Sequence, residues 1–268
     1  MILFPNAKIN LGLHVLVKRS DGFHEIESCM YPIPLCDILE IIPAQKFSFV
    51  QTGISFPPSA EKNLCEKAYD LLSQNFNVPP VYIHLRKQIP SGAGLGGGSS
   101  DAAFVLKGLN ELFSLNLSNE TLETLSAELG SDCPFFIANV PSIVRGRGEI
   151  LSPFNLDLKG TFLVLINPDI HVSTKDAYAI VRPKKAVNKL EEVLSYNRNE
   201  WKSSLVNDFQ GPIAQNHPLI SETIDFLYQH GANYAAMSGS GSTVFGLFDF
   251  APPAEIRIKK APIFIGEL

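Results

Sequence analysis

The residues of this chain that could do chemistry begin with one run, Pro90-Ser91-Gly92-Ala93-Gly94-Leu95-Gly96-Gly97-Gly98-Ser99-Ser100-Asp101. Five glycines in seven positions suit neither a helix interior nor a strand, because each gives up backbone entropy and side-chain contact. What the run offers is a row of unshielded N–H donors that can curl around an anion. A helix signal follows at once. Ser99 or Ser100 can cap it, Asp101 sits in its first turn, and Ala102, Ala103, Leu106, Leu109, Leu112 and Phe113 keep a 3,4 rhythm. Bare donors joined to the positive end of a helix dipole hold phosphate. An alternating strand precedes the run, with Val81, Ile83 and Leu85 set against Tyr82, His84 and Arg86, so a flexible linker is the weaker reading. No Gly-Lys-Ser/Thr closes the run, so it is not a Walker loop. Gly92, Gly94 and Gly97 fit G-x-G-x-x-G, but no repeated βαβ succession surrounds them, and a dinucleotide (NAD) site lacks its frame.

A second group lies on the opening segment. Ala7, Ile9, Leu11, Leu13 and Val15 alternate with Lys8, Asn10, Gly12 and His14. That pattern predicts a half-buried strand with Lys8 and Asn10 on one face, about 6–7 Å apart. A lone lysine on a strand is usually a solvated charge. Its company of an amide, a glycine and a histidine makes a site the competing reading. Asp132 follows Leu129-Gly130-Ser131 and precedes Cys133-Pro134. It reads either as the N-cap of a helix whose first turn tolerates Pro134 or as a carboxylate with work to do. His24 follows the hairpin signal Asp21-Gly22. Met237-Ser238-Gly239-Ser240-Gly241-Ser242 is a second glycine-serine loop, leading into an apolar strand at 243–248.

The elements that must position these residues are partly written in the sequence. Asn63 with Glu66 forms a capping box ahead of a helix carrying Leu64, Ala68, Leu71 and Leu72. Ser118 caps a helix with Leu122, Leu125 and Leu129, and Arg145-Gly146-Arg147-Gly148-Glu149 reads as a basic hairpin turn. Residues 161–166 form a buried strand that opens a second domain, and Ser173-Thr174 caps a helix containing Tyr178. Residues 183–202 read as charged helix and 256–265 as closing strand. With 268 residues, 45% hydrophobic and 18% charged, the chain can bury one large core or two moderate ones. A net charge of −5 argues against a nucleic-acid partner. No apolar run approaches a membrane span, and the opening segment lacks the basic start of a signal peptide. Cys29, Cys36, Cys65 and Cys133 form no C-x-x-C pair, so they read as reduced thiols of a cytoplasmic protein.

Three separated motifs resemble the signatures of the GHMP small-molecule kinases: Pro5-Asn6-Ala7-Lys8-Ile9-Asn10-Leu11, Gly92-Ala93-Gly94-Leu95-Gly96-Gly97-Gly98-Ser99-Ser100 and Ser238-Gly239-Ser240-Gly241-Ser242. The likeness runs from the first residues to about residue 248. The triple glycine before Ser-Ser, the placing of Asp132, and Gly22-Phe23-His24-Glu25 resemble family members that act on a cytidine diphosphate sugar alcohol. The resemblance implies an α+β, two-domain GHMP-kinase-like fold with the ATP cleft between the domains. Its domains would span 1–155, with the ATP loop and catalytic residues, and 156–268, whose last strand could return to the first. It implies a kinase that uses ATP, with Mg²⁺ delivered on the nucleotide, and no nucleic-acid or membrane partner.

Residue by residue, the same likeness assigns Pro90, Gly92 and the backbone of Gly94, Leu95, Gly96, Gly97, Gly98, Ser99 and Ser100 to ATP. Lys8 and Asp132 match the family's catalytic pair: Asp132 accepts the substrate hydroxyl proton, Lys8 holds that hydroxyl, and Asn10 helps to place it. Phe23 and His24 match the segment that recognises cytosine, Tyr178 falls where an aromatic stacks on the base, and Gly239 and Ser240 belong to the third motif on the substrate side. Protein ligands for the metal are not identified, Ser99 or Ser100 being the nearest candidates. The chain departs from the family at Phe23, commonly Tyr, at Met30, where an aromatic is expected, and at Ser238, usually Thr. Phosphoryl transfer asks for in-line positioning and charge stabilisation more than covalent chemistry. A carboxylate beside an ammonium therefore orients the hydroxyl as much as it deprotonates it. The rival readings are another family member (homoserine or mevalonate kinase, or diphosphomevalonate decarboxylase) and a nucleotide-binding protein without catalysis.

Overall fold

A computed structural model describes residues 1–54, 62–186, 188–260 and 262–268. Its residues group into two compact units that interleave along the chain, a different partition from a single cut at residue 155. The first holds Met1–Lys8, Leu35–Ser91 and Gly96–Val140; the second holds Ile9–Pro34, Gly92–Leu95 and Pro141–Leu268.

The first unit is a sheet backed by helices. Its strand order is Ile2–Leu3, Ile38–Pro43, Val81–Lys87, Ser48–Gly53, antiparallel except for the last pair. Leu39, Ile41, Ile83 and Leu85 are fully buried on the sheet, each such side chain worth about 1.5–3 kcal/mol of transfer free energy. The helix Leu64–Phe76 starts as its sequence demands, with a complete capping box between Asn63 and Glu66. The helix Gly97–Leu112, here the loop helix, lies so close to the sheet that a Cβ on Gly108 would stand 2.7 Å from Leu3 and 2.9 Å from Ile41. Asn119–Ala127 is capped by Ser118 as expected. The six-residue helix Cys133–Ala138, here the acid helix, follows.

The second unit contains two antiparallel sheets. One runs Tyr234–Met237, Val244–Phe248, Phe162–Ile166, Phe264–Glu267. The other is built from Asn6–Lys18, here the lysine strand, of which residues 6–8 belong to the first unit, then His24–Cys36, Ser142–Arg145 and Ile150–Pro153. Ser142–Arg145 and Ile150–Pro153 are the arms of the expected basic hairpin. Ser173 caps the helix Thr174–Ile180 that carries Tyr178. The core includes Phe209, Ile213, Ile220, Val244 and Phe248.

Four expectations are corrected. The lysine strand is buried on both faces, since Leu190 and Leu205 cover its polar side at Gly12, where a Cβ would stand 2.9 and 2.8 Å from them. Residues 183–202 form no single helix but the short helices Leu190–Leu194 and Arg198–Glu200 and the start of Trp201–Ser204, with residue 187 outside the described residues. The closing stretch starts as a helix, Ala254–Lys260, in which Ile256 is buried and Ile258 is 82% exposed. Its apolar alternation is thus incidental, and a Glu255–Lys259 pair at 3.7 Å one turn apart supports the helix. Residue 261 lies outside the described residues. The last strand, Phe264–Glu267, does not return to the first domain but pairs with the open edge of Phe162–Ile166.

Candidate active site

Lys8 reaches the site from the lysine strand and is 3% exposed. Its Nζ lies 3.5 Å from Asp132 Oδ2. Burial presses the Lys8 ammonium below its ordinary pKa, and Asp132 opposes that pull. Asp132 stands at the N-cap position of the acid helix, yet its side chain makes no capping hydrogen bond. The reason is local. Its backbone is already helical, φ −86° and ψ −13°, whereas a capping side chain needs an extended residue to reach back to the first-turn N–H groups. The carboxylate therefore faces Lys8, and the capping reading of Asp132 gives way.

The loop helix brings the third component. Neither Ser99 nor Ser100 caps it: both lie inside it, and its N-cap is Gly96 at φ +71°, with no side chain bonded to its end. The helix can begin inside the glycine run because Gly97 packs flat on Ile89, where a Cβ would stand 2.8 Å from the isoleucine methyl. Gly96 has no room for a side chain either. A Cβ there would meet Phe136 at 2.9 Å and Lys8 Cε at 3.2 Å. Lys8, Asp132 and the uncapped end of a sixteen-residue helix therefore meet at one place in the first unit. This end, lined by glycine and backed by a lysine, fits an anionic phosphate chain. The Ser99 hydroxyl is hydrogen-bonded to the Cys133 thiol, whose pKa burial pushes up to about 12. The Ser100 hydroxyl is buried without a hydrogen-bond partner. Among the described residues no three His, Cys, Asp or Glu side chains gather to hold a metal ion.

In the second unit the first half of the glycine run meets the third motif. Gly92 and Gly94 have φ of +61° and +77°, and a Cβ on Gly94 would enter the Ser238 carbonyl. The Ser238 hydroxyl donates to the Gly94 carbonyl at 2.8 Å and accepts from the Asn10 N–H at 3.2 Å. The hydroxyl that Thr usually supplies is thus retained by Ser. The Asn10 amide donates to Ser28 Oγ at 2.8 Å, and Ser28 donates on to the Gly12 carbonyl at 2.6 Å. A Cβ on Gly239 would stand 3.2 Å from Asn10 Oδ1, and Ser240 Oγ lies 3.3 Å from Thr174 Oγ1. His24 and Tyr178 stack, with ring centroids 4.9 Å apart and planes at 19°, and Phe209 meets Tyr178 edge-on at 4.9 Å. Burial lowers the His24 pKa, and Lys18 adds to the shift. Phe23 stays out of that stack: it is 51% exposed, with the Arg147 guanidinium over its ring at 4.9 Å. Met30 is buried in the ladder opposite Ser142.

Two further contributors were not legible as such. Asn207 donates from one amide to the carbonyls of Met237 and Gly239, at 2.7 and 2.8 Å, and so holds the third motif. Lys87 is buried between Asp37 and Asp101, its Nζ 2.6 Å from Asp101 and in ion-pair contact with Asp37. Asp37 also accepts from the N–H groups of Gln88 and Ile89, where the glycine run begins. Lys87 did leave a signal: it shares the inward parity of Val81, Ile83 and Leu85.

Comparison with known proteins follows the same lines. The family pattern described as GHMP kinases N terminal domain matches residues 63–146, and GHMP kinases C terminal matches 178–258. The chain is similar to a 4-diphosphocytidyl-2-C-methyl-D-erythritol kinase of Bacteroides fragilis, 53% identical over 92% of each chain. It is similar to the enzyme of that name from Porphyromonas gingivalis, 44% identical over 94% of this chain and 93% of the relative. A crystal structure of 4-(cytidine 5'-diphospho)-2C-methyl-D-erythritol kinase superposes with a TM-score of 0.77 at 34% identity, covering 92% of this chain and 90% of the other. Mevalonate kinase of Methanococcus jannaschii, at 14% identity and a TM-score of 0.67 over 92% and 90%, shares the fold.

Proposed function

Since the chain belongs to the GHMP kinase family, we propose that it transfers the γ-phosphoryl group of ATP to the 2-hydroxyl of 4-diphosphocytidyl-2-C-methyl-D-erythritol. This is a step of non-mevalonate isoprenoid precursor synthesis. The observation that carries the reading is the 3.5 Å approach of Lys8 to Asp132 beside the uncapped N-terminus of the loop helix. The relatives at 44–53% identity favour the cytidyl substrate over homoserine or mevalonate.

In this mechanism the N–H groups of Gly96, Gly97, Gly98 and Ser99, with those of the run before them, receive the ATP phosphates. The helix end stabilises charge that grows on the transferring group. Lys8 lies against the same helix end and donates to the attacking hydroxyl and the phosphoryl oxygens. Asp132 accepts the hydroxyl proton as the bond to phosphorus forms, which fixes the lone pair in line. Asn10, two residues along the strand from Lys8, helps to place that hydroxyl. His24, Tyr178 and Phe23 hold the cytosine end, and Gly239 and Ser240 the remainder of the substrate. Mg²⁺ delivered with the nucleotide would offset the phosphates' charge, and the Ser99 or Ser100 hydroxyl would be the protein group to hold it.

The test is ADP release with the cytidyl alcohol, homoserine and mevalonate as acceptors, for the native chain and for Asp132→Asn. Release with the cytidyl alcohol and a fall in kcat of about 10²–10⁴ in the variant, at unchanged KM for ATP, is the expected result. Near-normal turnover by the variant would remove Asp132 from its role. Preference for another acceptor, or release of carbon dioxide, would replace the substrate.

A further inference from the structure

Asp132 rides on a helix too short to hold itself in place, so something outside that helix must fix its distance from Lys8. At the far end of the acid helix is Asn139, the C-cap residue, in the left-handed conformation at φ +56°. Its Nδ2 donates to Asn6 Oδ1 at 2.7 Å, and Asn6 Nδ2 donates back to Asn139 Oδ1 at 3.2 Å. Asn6 Nδ2 also donates to the Ala7 carbonyl at 2.9 Å. A carbonyl can only accept, so this third bond fixes which end of the Asn6 amide is nitrogen, and the reciprocal pairing follows. Asn6 is buried and stands two residues before Lys8, on the same face of the lysine strand. A second tie comes from the loop helix, where Lys107 Nζ donates to the Ile137 carbonyl at 3.0 Å.

We propose that Asn6 and Asn139 are positioning residues for phosphoryl transfer, a two-bond amide clasp that sets the separation of Lys8 and Asp132. The inference rests on the assignment of the reaction to Lys8 and Asp132. The clasp joins the strand that carries the amine to the helix that carries the carboxylate, two residues from the amine and seven from the carboxylate. Releasing it lets the acid helix pivot about its buried Phe135 and Phe136, and a displacement of about 1 Å at a reacting group can cost 10²-fold in rate. The hydrogen bonds of the two amides run to each other and to Ala7 and not to the loop helix end, so binding of ATP is not part of their work.

The experiment is a double-mutant cycle in ADP release with Asn6→Ala, Asn139→Gly and both together, with Asp132→Asn alongside. Glycine suits the left-handed backbone at 139, so that variant keeps the turn and loses only the amide. Each single variant should lower kcat about tenfold, with KM for ATP within twofold and the melting temperature close to native. The double variant should be no worse than the weaker single one, because one clasp is lost either way. Native kcat in both singles, or losses that multiply in the double, would overturn the clasp. If Asp132→Asn is inactive in the same assay, the assignment of the reaction to Lys8 and Asp132 survives that result; if Asp132→Asn turns over normally, that assignment fails and the clasp with it. Should Asn6→Ala fail to fold, Asn139→Gly and its kcat against KM decide alone.

Discussion

At the scale of single residues, Tyr178 carries the clearest division of labour. Its ring is stacked on His24 and braced edge-on by Phe209. A flat polar base gains about 1–3 kcal/mol from such a face. Tyr178→Ala should therefore raise KM for the cytidyl substrate about tenfold to hundredfold and leave KM for ATP unchanged, while Tyr178→Phe keeps the ring and stays near native. Steady-state kinetics in each substrate separately would read this. In the proposed reaction Phe23, without a hydroxyl and with Arg147 above its ring, would offer the base an apolar edge and a guanidinium rather than the hydrogen bond of a tyrosine. Asp132 could not be placed from its neighbours alone. Its partner lies 124 positions away by number, and only the helical backbone at 132 shows why the side chain is not spent on a cap.

At the scale of elements, the glycine run divides its work. Gly94 exists so that two loops can touch, and Gly96 so that a helix end can meet Lys8. Gly94→Ala would force a Cβ into the Ser238 backbone at a φ of +77° that alanine resists. The expected result is a loss of about 1–3 kcal/mol of stability in a urea titration and at least a tenfold rise in KM for ATP. Behind the run, burial holds the Asp101 carboxyl up to about 8 against the pull of Lys87. A raised acid binds its proton more tightly in the folded chain, so this group stabilises below the ordinary aspartate range and loses that contribution as pH rises towards 8. Asp101→Asn should flatten the decline in urea midpoint between pH 5 and 8.5. Much of this level was legible. The helix that opens from the glycine run, the capping box at Asn63, the hairpin at 145–149 and the helix of Tyr178 all follow from local rules. The misplaced cap at Ser99 or Ser100 and the misread strand at 256–260 fail for one reason: packing against Ile89 and burial of Ile256 overrode the local pattern. Lys87 was the missed opportunity, because its strand parity already pointed it inward.

At the scale of the whole molecule, the chain folds as two interleaved units whose motifs come from its beginning, middle and end. Asn10, Gly94 and Ser238 are separated by 84 and 144 positions, yet share one hydrogen-bonded chain in the second unit. Such contacts are not recoverable from periodicity, and the match of three motifs to a known family said only that the three belong to one fold. The closing strand completes a four-stranded sheet rather than leaving Phe162–Ile166 as an open edge, which guards against pairing with other chains.

The buried cysteines carry one more consequence. Cys29, Cys65 and Cys133 are inaccessible, and burial pushes Cys29 and Cys133 up to about 12 and Cys65 well above its ordinary value. At neutral pH a thiol near 12 is ionised to only about one part in 10⁵, far too little for ready alkylation. A thiol reagent should therefore modify these three only when the molecule opens, and all four cysteines in urea, with mass spectrometry counting the adducts. The rate of labelling then follows the opening equilibrium. The native chain thus comes with its own unfolding gauge, against which the clasp, glycine and carboxylate variants can be compared without any added dye.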